Sequence, residues 1–298
     1  MRTLADRMDT PVASRPRIAL ASLNVRPSKG RGQNFLVQPA IADRIVAAAE
    51  PGIDDEVVEI GPGLGILSER ILSAGVRRFT MIELDRRLAA GLESRFAENS
   101  RVRIVNQDFL KLDLAALVAH APVKVIGNLP FNAASAVLHR LCGQASLISR
   151  MALMFQREVG ERIRACPGDS ARSALSVFTA LYWEVAGHFR VLAGSFHPRP
   201  NVDAEVIVMR PRPAIFAPAE ERIVLETIRA AFSAPRKAIR NSLAGALGIG
   251  TDLAAAALCD AQIDSSARAA ALLENDFVRL ARHLAARCPG AYAGRRDA

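Results

Sequence analysis

The run Asn128-Leu129-Pro130-Phe131 combines groups that suit chemistry on a flat nitrogen base. It follows an apolar stretch at residues 123–127, so we expect it to stand at the carboxyl end of a strand. The amine of a base can donate its two hydrogens to the Asn128 side-chain carbonyl and the Leu129 backbone carbonyl, while Phe131 covers one face. The run therefore predicts methylation of adenine N6. The structural alternative is a strand-ending turn with Phe131 in the core.

A glycine-rich turn runs from Gly61 through Gly63 to Gly65, where a first strand would pass into its helix. Glycines there let the backbone approach a ligand, and the amino terminus of the helix presents free N–H groups. The spacing is not the Gly-x-Gly-x-x-Gly of a dinucleotide site, and no Lys-Ser or Lys-Thr pair follows as in a phosphate loop. A pyrophosphate ligand is therefore disfavoured.

Two acidic residues end the next two predicted strands. Glu83 lies 22 residues after Gly61, where a carboxylate can accept hydrogen bonds from both hydroxyls of an adenosine ribose. Asp108, with Phe109 beside it, is placed to accept from an adenine amine. Each acid taken singly also fits a helix cap or a solvated loop residue. Together with the glycine turn they predict a nucleoside cofactor without pyrophosphate, S-adenosylmethionine.

The elements that must position these residues alternate between strand and helix patterns, which predicts an α/β fold with a doubly wound parallel sheet. Ligands in such sheets gather at the carboxyl ends of the strands. The predicted strands are residues 56–60, 79–84, 102–106, 123–126 and 151–155. The predicted helices are residues 39–50, 64–74, 86–98, 110–120, 134–142 and 157–166.

The pattern changes after residue 187. Two β-like runs, residues 188–192 and 206–210, flank a proline-rich loop that contains Phe196, and they predict an antiparallel pair that closes the sheet. Beyond residue 213 the helical periods predict a separate, small all-helical domain. Its predicted helices are residues 219–233, 237–246, 251–259, 266–273 and 275–287.

The composition is that of an ordinary water-soluble globular protein, with 298 residues, 50% hydrophobic and 23% charged. The sequence has no run of about 18 apolar residues, so we expect no membrane span. The four cysteines form no Cys-x-x-Cys pair and the five histidines are dispersed, so we expect reduced thiols, no metal and a cytoplasmic location.

The net charge of +9 is concentrated at the two ends of the chain. Residues 1–33 carry seven Lys and Arg against two Asp and Glu, residues 34–209 carry 19 against 19, and residues 210–298 carry 13 against nine. A neutral body with basic ends suggests contact with a polyanion. The alternatives are a charge excess that only aids solubility and, for the Arg-rich amino terminus, a transit peptide.

Seven segments, in this order along the chain, resemble the motifs of the small-subunit ribosomal RNA adenine N6,N6-dimethyltransferases. Together they span about residues 30–245. Many bacterial members of the family carry Tyr where this chain has Phe131, although stacking requires only the ring. The segments are residues 32–36, 59–65, 82–85, 107–108, 128–131, 196–203 and 236–243.

The resemblance implies a Rossmann-like class I methyltransferase domain followed by a small helical domain. We accordingly expect a basic, disordered arm at residues 1–30, a methyltransferase domain at residues 31–213 and an RNA- or ribosome-contacting domain at residues 214–298. The implied reaction is dimethylation of two adjacent adenosines in a hairpin loop near the 3′ end of small-subunit (16S) ribosomal RNA, with S-adenosylmethionine as cofactor. The implied partner is a precursor of the small ribosomal subunit, and we expect a monomer.

The family motifs also imply roles for single residues. In the catalytic motif, residues 128–131, Asn128 contacts both cofactor and target. Our hypothesis places Phe196 on the second face of the target base, and Arg236, Lys237 and Arg240 on RNA phosphates, with a solvated helix face as the alternative. The implied cofactor residues are Asn34, Leu36, Gly61, Gly63, Glu83, Leu84, Asp108, Phe109 and Asn128.

Three other functions remain open. A large-subunit ribosomal RNA adenine methyltransferase that confers macrolide resistance shares the Asn-x-Pro-aromatic core and a similar loop at Phe196, although the segment at residues 236–243 argues against it. A DNA adenine methyltransferase is the second. The third is a mainly non-catalytic assembly or transcription factor that uses the fold to bind nucleic acid; intact Glu83, Asp108 and Asn128 favour an enzyme instead.

Overall fold

The computed structural model describes residues 16–27 and 32–292, which group into two compact units. The first unit contains the described residues up to Gly160 together with Glu184–Pro211. The second contains Glu161–Trp183 and the described residues from Arg212 onward. The division therefore differs from the single boundary that we expected near residue 213.

The first unit is built on a mixed sheet, which has seven strands within the described residues. In chain order the described strands are β1 (Phe35–Leu36), β2 (Glu56–Ile60), β3 (Arg78–Ile82), β4 (Val102–Val105), β5 (Val123–Asn128), β6 (Ile148–Gln156), β7 (Trp183–Val191), β8 (Phe196–His197) and β9 (Ala204–Pro211).

The sheet has the order β4-β3-β2-β5-β6-β9-β7, and its first five strands run parallel. Strand β9 joins β6 antiparallel. The short strands β1 and β8 form a separate antiparallel pair in which Leu36 lies opposite Phe196. This topology confirms the predicted α/β class and the late strands that close the sheet.

The helices agree with the sequence pattern where an apolar face is clear, and α5 coincides with its prediction. The described helices are α1 (Pro16–Ser22), α2 (Pro39–Ala49), α3 (Ile66–Ser73), α4 (Arg86–Phe96), α5 (Ala134–Cys142), α6 (Arg157–Ile163), α7 (Ala174–Tyr182), α8 (Glu221–Ala231), α9 (Ile239–Leu247), α10 (Thr251–Asp260) and α11 (Glu274–Arg287).

Two predicted helices are wrong. Residues 110–120 contain only the end of a short 3-10 turn, Phe109–Lys111, because Asp108 and Asp113 accept hydrogen bonds from the backbone N–H groups two residues later. Residues 266–273 likewise contain only the 3-10 turn Ala269–Ala271, after a local bond from the Ser266 N–H to Asp264. Such bonds compete with helix formation.

Helices α1 and α7 were not predicted. Within the arm that we expected to be disordered, α1 buries Ala19 and Leu20, whereas residues 1–15 and 28–30 of that arm lie outside the described residues. Helix α7 buries Val177 and Leu181 in the same apolar cluster as Val224 of α8, which explains why Glu161–Trp183 belongs to the second unit. None of the described helices has the length and apolar character needed to cross a lipid bilayer.

Close packing between β2 and β5 brings the two strand ends together. A β-carbon on Gly127 would lie 2.8 Å from the Ile60 backbone oxygen and 3.1 Å from Leu129 Cδ2. Because real β-carbons do not approach other atoms so closely, only glycine fits at this point of β5. The next residue, Asn128, is thereby held beside the turn that follows β2.

Candidate functional site

A cleft lies at the carboxyl ends of β2, β3 and β5, where a parallel sheet binds its ligands. Its free space is about 600 Å³, counting the open solvent at its mouth. The cleft brings together six of the predicted cofactor residues and all four predicted catalytic residues. These are Asn34, Leu36, Gly61, Gly63, Glu83 and Asn128, with Leu129, Pro130 and Phe131.

The glycine turn closes one side of the cleft. Gly61, Gly63 and Gly65 all have positive φ, at 71°, 58° and 80°, and residues other than glycine rarely adopt such values. A β-carbon on Gly63 would also lie 3.1 Å from Cδ1 of Phe35. The turn can therefore present its backbone to a ligand because it carries no side chains at these points.

Glu83 is held beside this turn by the backbone. Its Oε2 accepts a hydrogen bond from the Gly63 N–H at 3.0 Å, and its Oε1 accepts from the Asp85 N–H at 2.9 Å. Only 6% of the residue is exposed. Burial raises the pKa of Glu83, and the two backbone hydrogen bonds oppose that rise. Each carboxylate oxygen keeps lone pairs for a further donor, as the hydroxyls of a ribose would require.

Glu59 is a second buried acid near the cleft; it belongs to the family segment at residues 59–65, but we had assigned it no role from the sequence. Its Oε2 accepts from Ser68 Oγ at 2.6 Å, while its Oε1 has no hydrogen-bond partner among the described residues. Burial raises the pKa of Glu59 to about 8; the Ser68 hydrogen bond lowers it and the Glu83 charge raises it further. Glu59 is therefore mostly neutral at pH 7. The sequence signal that could have found it is an acid within the short apolar run of β2.

Asn128 is oriented by a segment far away in the sequence. Its Nδ2 donates to the Asn34 backbone oxygen at 3.1 Å, across 94 residues, and Asn34 Nδ2 in turn donates to the Gly32 oxygen at 3.2 Å. Because the NH2 group is used in this way, the Asn128 carbonyl oxygen is the group left to accept from a ligand. A β-carbon on Gly32 would lie 3.1 Å from the Phe131 nitrogen, so the two motifs touch through their backbones.

The aromatic pair differs in arrangement from our hypothesis. Phe196 is 4% exposed, and its ring meets Phe131 edge-on, with centroids 6.3 Å apart and an interplanar angle of 67°. Two rings that clamp a base between them must be parallel, so in this structure Phe196 does not form the second face of a clamp. It supports the Phe131 ring instead, and the pairing of β8 with β1 holds it there.

Comparison with known proteins identifies the family, because residues 26–286 match the family model described as ribosomal RNA adenine dimethylase. This chain belongs to the ribosomal RNA adenine dimethylase family. It is therefore an enzyme of the adenine-dimethylating class, as the run at residues 128–131 predicts.

Individual relatives support the same assignment. The chain is 41% identical over 266 residues to the ribosomal RNA small subunit methyltransferase A of Syntrophotalea carbinolica, covering 87% of this chain and 97% of the relative. A dimethyladenosine transferase from Plasmodium falciparum shares the fold, with a TM-score of 0.72, 23% identity and coverage of 85% and 98%. The 23S rRNA methyltransferase ErmE has a TM-score of 0.62, 27% identity and coverage of 84% and 99%.

Three of the cofactor residues implied for this dimethylase do not line the cleft. Asp108 instead accepts from the Leu110 N–H at 3.0 Å, and Phe109 is buried. Leu84, in contrast, is 61% exposed and borders a neighbouring depression. The side chain of Asn106, which we had not singled out, donates to the backbone oxygens of Glu83 and Leu84 and so positions the segment that carries them.

The basic residues of the family segment at residues 236–243 lie in the second unit. Arg236 and Lys237 are exposed before α9, and Arg240 is exposed in its first turn. No ion pair within the described residues involves any of the three. Arg172, in contrast, is buried and pairs with Glu274 at 2.8 Å. Within the described residues, no group of His, Cys, Asp and Glu side chains is arranged to hold a metal ion.

Proposed function

We propose that this dimethylase transfers methyl groups from S-adenosylmethionine to N6 of two adjacent adenosines in a hairpin loop near the 3′ end of small-subunit (16S) ribosomal RNA. The proposed substrate is a precursor of the small ribosomal subunit, and we expect the enzyme to act as a monomer in the cytoplasm. The observation that carries the proposal is that one cleft unites Asn128 and Phe131 with Glu83 and the glycine turn.

The cofactor side of the cleft fits S-adenosylmethionine. The lone pairs that remain on Glu83 suit the two ribose hydroxyls, and the bare backbone at Gly61 and Gly63 suits the methionine part. Asn34 and Leu36 also line the cleft. The cofactor supplies an electrophilic methyl group on a sulfonium, so this part of the protein has only to bind and orient it.

We assign the adenine end of the cofactor to three residues outside the cleft lining. Exposed Leu84 offers an apolar contact for the ring, and Asp108 offers an acceptor for its amine. Asp108 now caps the 3-10 turn through Oδ1, which leaves Oδ2 for the cofactor. Buried Phe109 holds that turn in place.

The target side of the cleft orients the adenine amine. Its lone pair is delocalised into the ring, so the amine is a weak nucleophile. Acceptance of its two hydrogens by Asn128 Oδ1 and the Leu129 backbone oxygen favours a tetrahedral nitrogen as positive charge develops. The alkylated nitrogen then loses a proton to water, and no strong base is needed.

The target base must leave its stack before it enters the cleft. Unstacking costs a few kcal/mol, which favours bases that already lie in a loop. Stacking on Phe131 recovers about 1–3 kcal/mol. We assign phosphate contact in the same RNA to Arg236, Lys237 and Arg240, because their exposed charges suit a polyanion.

The experiment that tests this function uses labelled S-adenosylmethionine and small ribosomal subunits that lack the modification. Mass mapping of the RNA should find dimethylated adenosines at two adjacent positions of the small-subunit RNA. Label found only in the large subunit would support the large-subunit alternative, and label found only in DNA would support a DNA enzyme. Identity to the small-subunit relative, 41%, is higher than identity to ErmE, 27%, which favours the first result.

A further inference from the structure

We propose that residues 16–26, here called the amino-terminal strap, position one wall of the cofactor cleft and thereby raise the affinity for S-adenosylmethionine. The inference deepens the proposed function and rests on it. Residues 16–25 of the strap precede the family match, which begins at residue 26.

The strap has a defined structure of its own. Helix α1 begins at Pro16, and the chain turns back at Asn24, which has a left-handed φ of 53°. The Asn24 N–H donates to the Ala21 oxygen at 3.0 Å, and the Val25 N–H donates to the Leu20 oxygen at 2.8 Å. This is the Schellman arrangement, in which the residue after the turn packs against the last turn of the helix.

The strap shares an apolar cluster with the wall of the cleft. Ala19, Leu20 and Val25 are buried together with three residues that also line the cleft, Phe35, Leu64 and Leu88. Phe35 separates Asn34 from Leu36, and Leu64 follows Gly63, so the cluster contacts both segments that would bind the methionine part of the cofactor. Burial of these side chains keeps the wall in place before a ligand arrives, which reduces the ordering cost of binding.

The strap also docks on α4 at one specific point. A β-carbon on Gly91 would lie 2.7 Å from Cδ2 of Leu23, so the absence of a side chain there makes room for Leu23. Glycine within a helix normally weakens it, and here it permits the contact. The Arg87 guanidinium donates to the Asn24 backbone oxygen and holds the turn of the strap on the same helix.

The amino-terminal strap also extends to the rim of the cleft. Asn24, Val25 and Arg26 line a depression together with Gln33 and exposed Leu84. The strap therefore borders the segment to which we assign the adenine end of the cofactor. Its residues are positioning residues: they act through Phe35, Leu64 and Leu88 rather than through contact with the reacting atoms.

Calorimetric titration with S-adenosylmethionine tests the proposal on a matched pair of variants. Leu20→Asp places a charge in the cluster, whereas Ile18→Asp places the same charge on the same helix at a residue that is 61% exposed. We expect Leu20→Asp to weaken cofactor binding about tenfold or more, and Ile18→Asp to leave it unchanged. Leu20→Met should restore most of the affinity.

Kinetics separate positioning from a general loss of stability. Leu20→Asp should raise KM for the cofactor and leave kcat at saturating cofactor and KM for the RNA particle unchanged. Leu141→Ala, in the buried face of α5 and outside the cleft lining, serves as the control for destabilisation. It should lower Tm without changing cofactor affinity.

A double-mutant cycle tests the docking point without any cofactor. We compare the change in Tm that Gly91→Ala causes in two backgrounds. In the wild-type chain the change should be a larger fall, or a smaller rise, than in a Leu23→Ala background, where the atoms that crowd the new β-carbon are gone. Strictly additive effects would contradict the contact. If Leu20→Asp and a chain that lacks residues 1–25 both bind S-adenosylmethionine with wild-type affinity, the proposal for the strap is wrong and the proposed function is unaffected. If the wild-type protein itself binds no S-adenosylmethionine, the proposed function is wrong as well.

Discussion

The cleft and the basic surface at α9 are built in opposite ways. In the cleft, Glu83 and Asn128 are each held by a hydrogen bond to or from a backbone group of a distant segment, and Glu83 is almost fully buried. At α9, Arg236, Lys237 and Arg240 extend into solvent. A buried, oriented group contributes through its exact placement, whereas exposed charges contribute through their sum. Single substitutions should therefore have large effects in the cleft and small effects on the basic surface.

The largest effect should follow removal of the Asn128 amide. Asn128→Ala removes the acceptor that we propose for the adenine amine and should lower the single-turnover rate of methyl transfer by about a thousandfold. Tm should change little. Asn128→Asp keeps an acceptor but loses the donor to the Asn34 oxygen, so we expect it to fall between wild type and Asn128→Ala. Equal rates for wild type and Asn128→Ala would contradict the assignment of the cleft.

A second large effect should appear in the pH dependence of stability. The pKa of Glu59 is about 8 in the folded protein against 4.5 in the unfolded chain, so the folded state binds the proton more tightly. The contribution of Glu59 to the free energy of unfolding is fully present below about pH 4.5 and is lost as the pH rises to about 8.

Glu59→Gln should remove this loss. Urea denaturation should find the variant and the wild type similar at pH 5, and the variant more stable by a few kcal/mol at pH 8.5. A constant difference across this range would show that Glu59 does not titrate between pH 5 and 8.5.

A smaller effect is expected for Glu83→Gln, which keeps the shape of the side chain but replaces one acceptor oxygen by a donor. Cofactor affinity measured by calorimetry should fall about tenfold to a hundredfold, since one buried acceptor is lost. Glu93→Gln, on the exposed face of α4, is the matched control and should bind like wild type. If both variants bind equally well, Glu83 does not hold the ribose.

The smallest effect per residue is expected on the basic surface. The double charge reversal Arg236→Glu and Lys237→Glu should weaken binding to the ribosomal particle severalfold at low salt and flatten its salt dependence. The control is Arg77→Glu with Arg78→Glu, which changes the net charge equally at the amino end of β3, opposite to the cleft end. Equal losses for the two pairs would indicate that only the net charge matters.

Local patterns predicted the elements that depend on neighbouring residues. Strand β2 and helix α5 have the predicted bounds because a continuous apolar run and a clear apolar stripe are properties of short segments. The predicted helix at residues 110–120 failed because Asp108 and Asp113 bond to the local backbone. Helix α1 was missed because its apolar face is short, and its partners Phe35, Leu64 and Leu88 lie far along the chain.

The sequence by itself determined which chemical groups the cleft contains, because the residues at the end of a strand and directly after it stand at the carboxyl edge of the sheet. Asn128 at the end of β5 and Glu83 directly after β3 are examples. Only the tertiary structure decided how those groups are held: the Asn34 backbone orients Asn128, and Phe196 meets Phe131 by its edge. It also decided that burial raises the pKa of Glu59 to about 8. These properties arise from contacts and burial between segments that lie far apart in the chain, which no local pattern encodes.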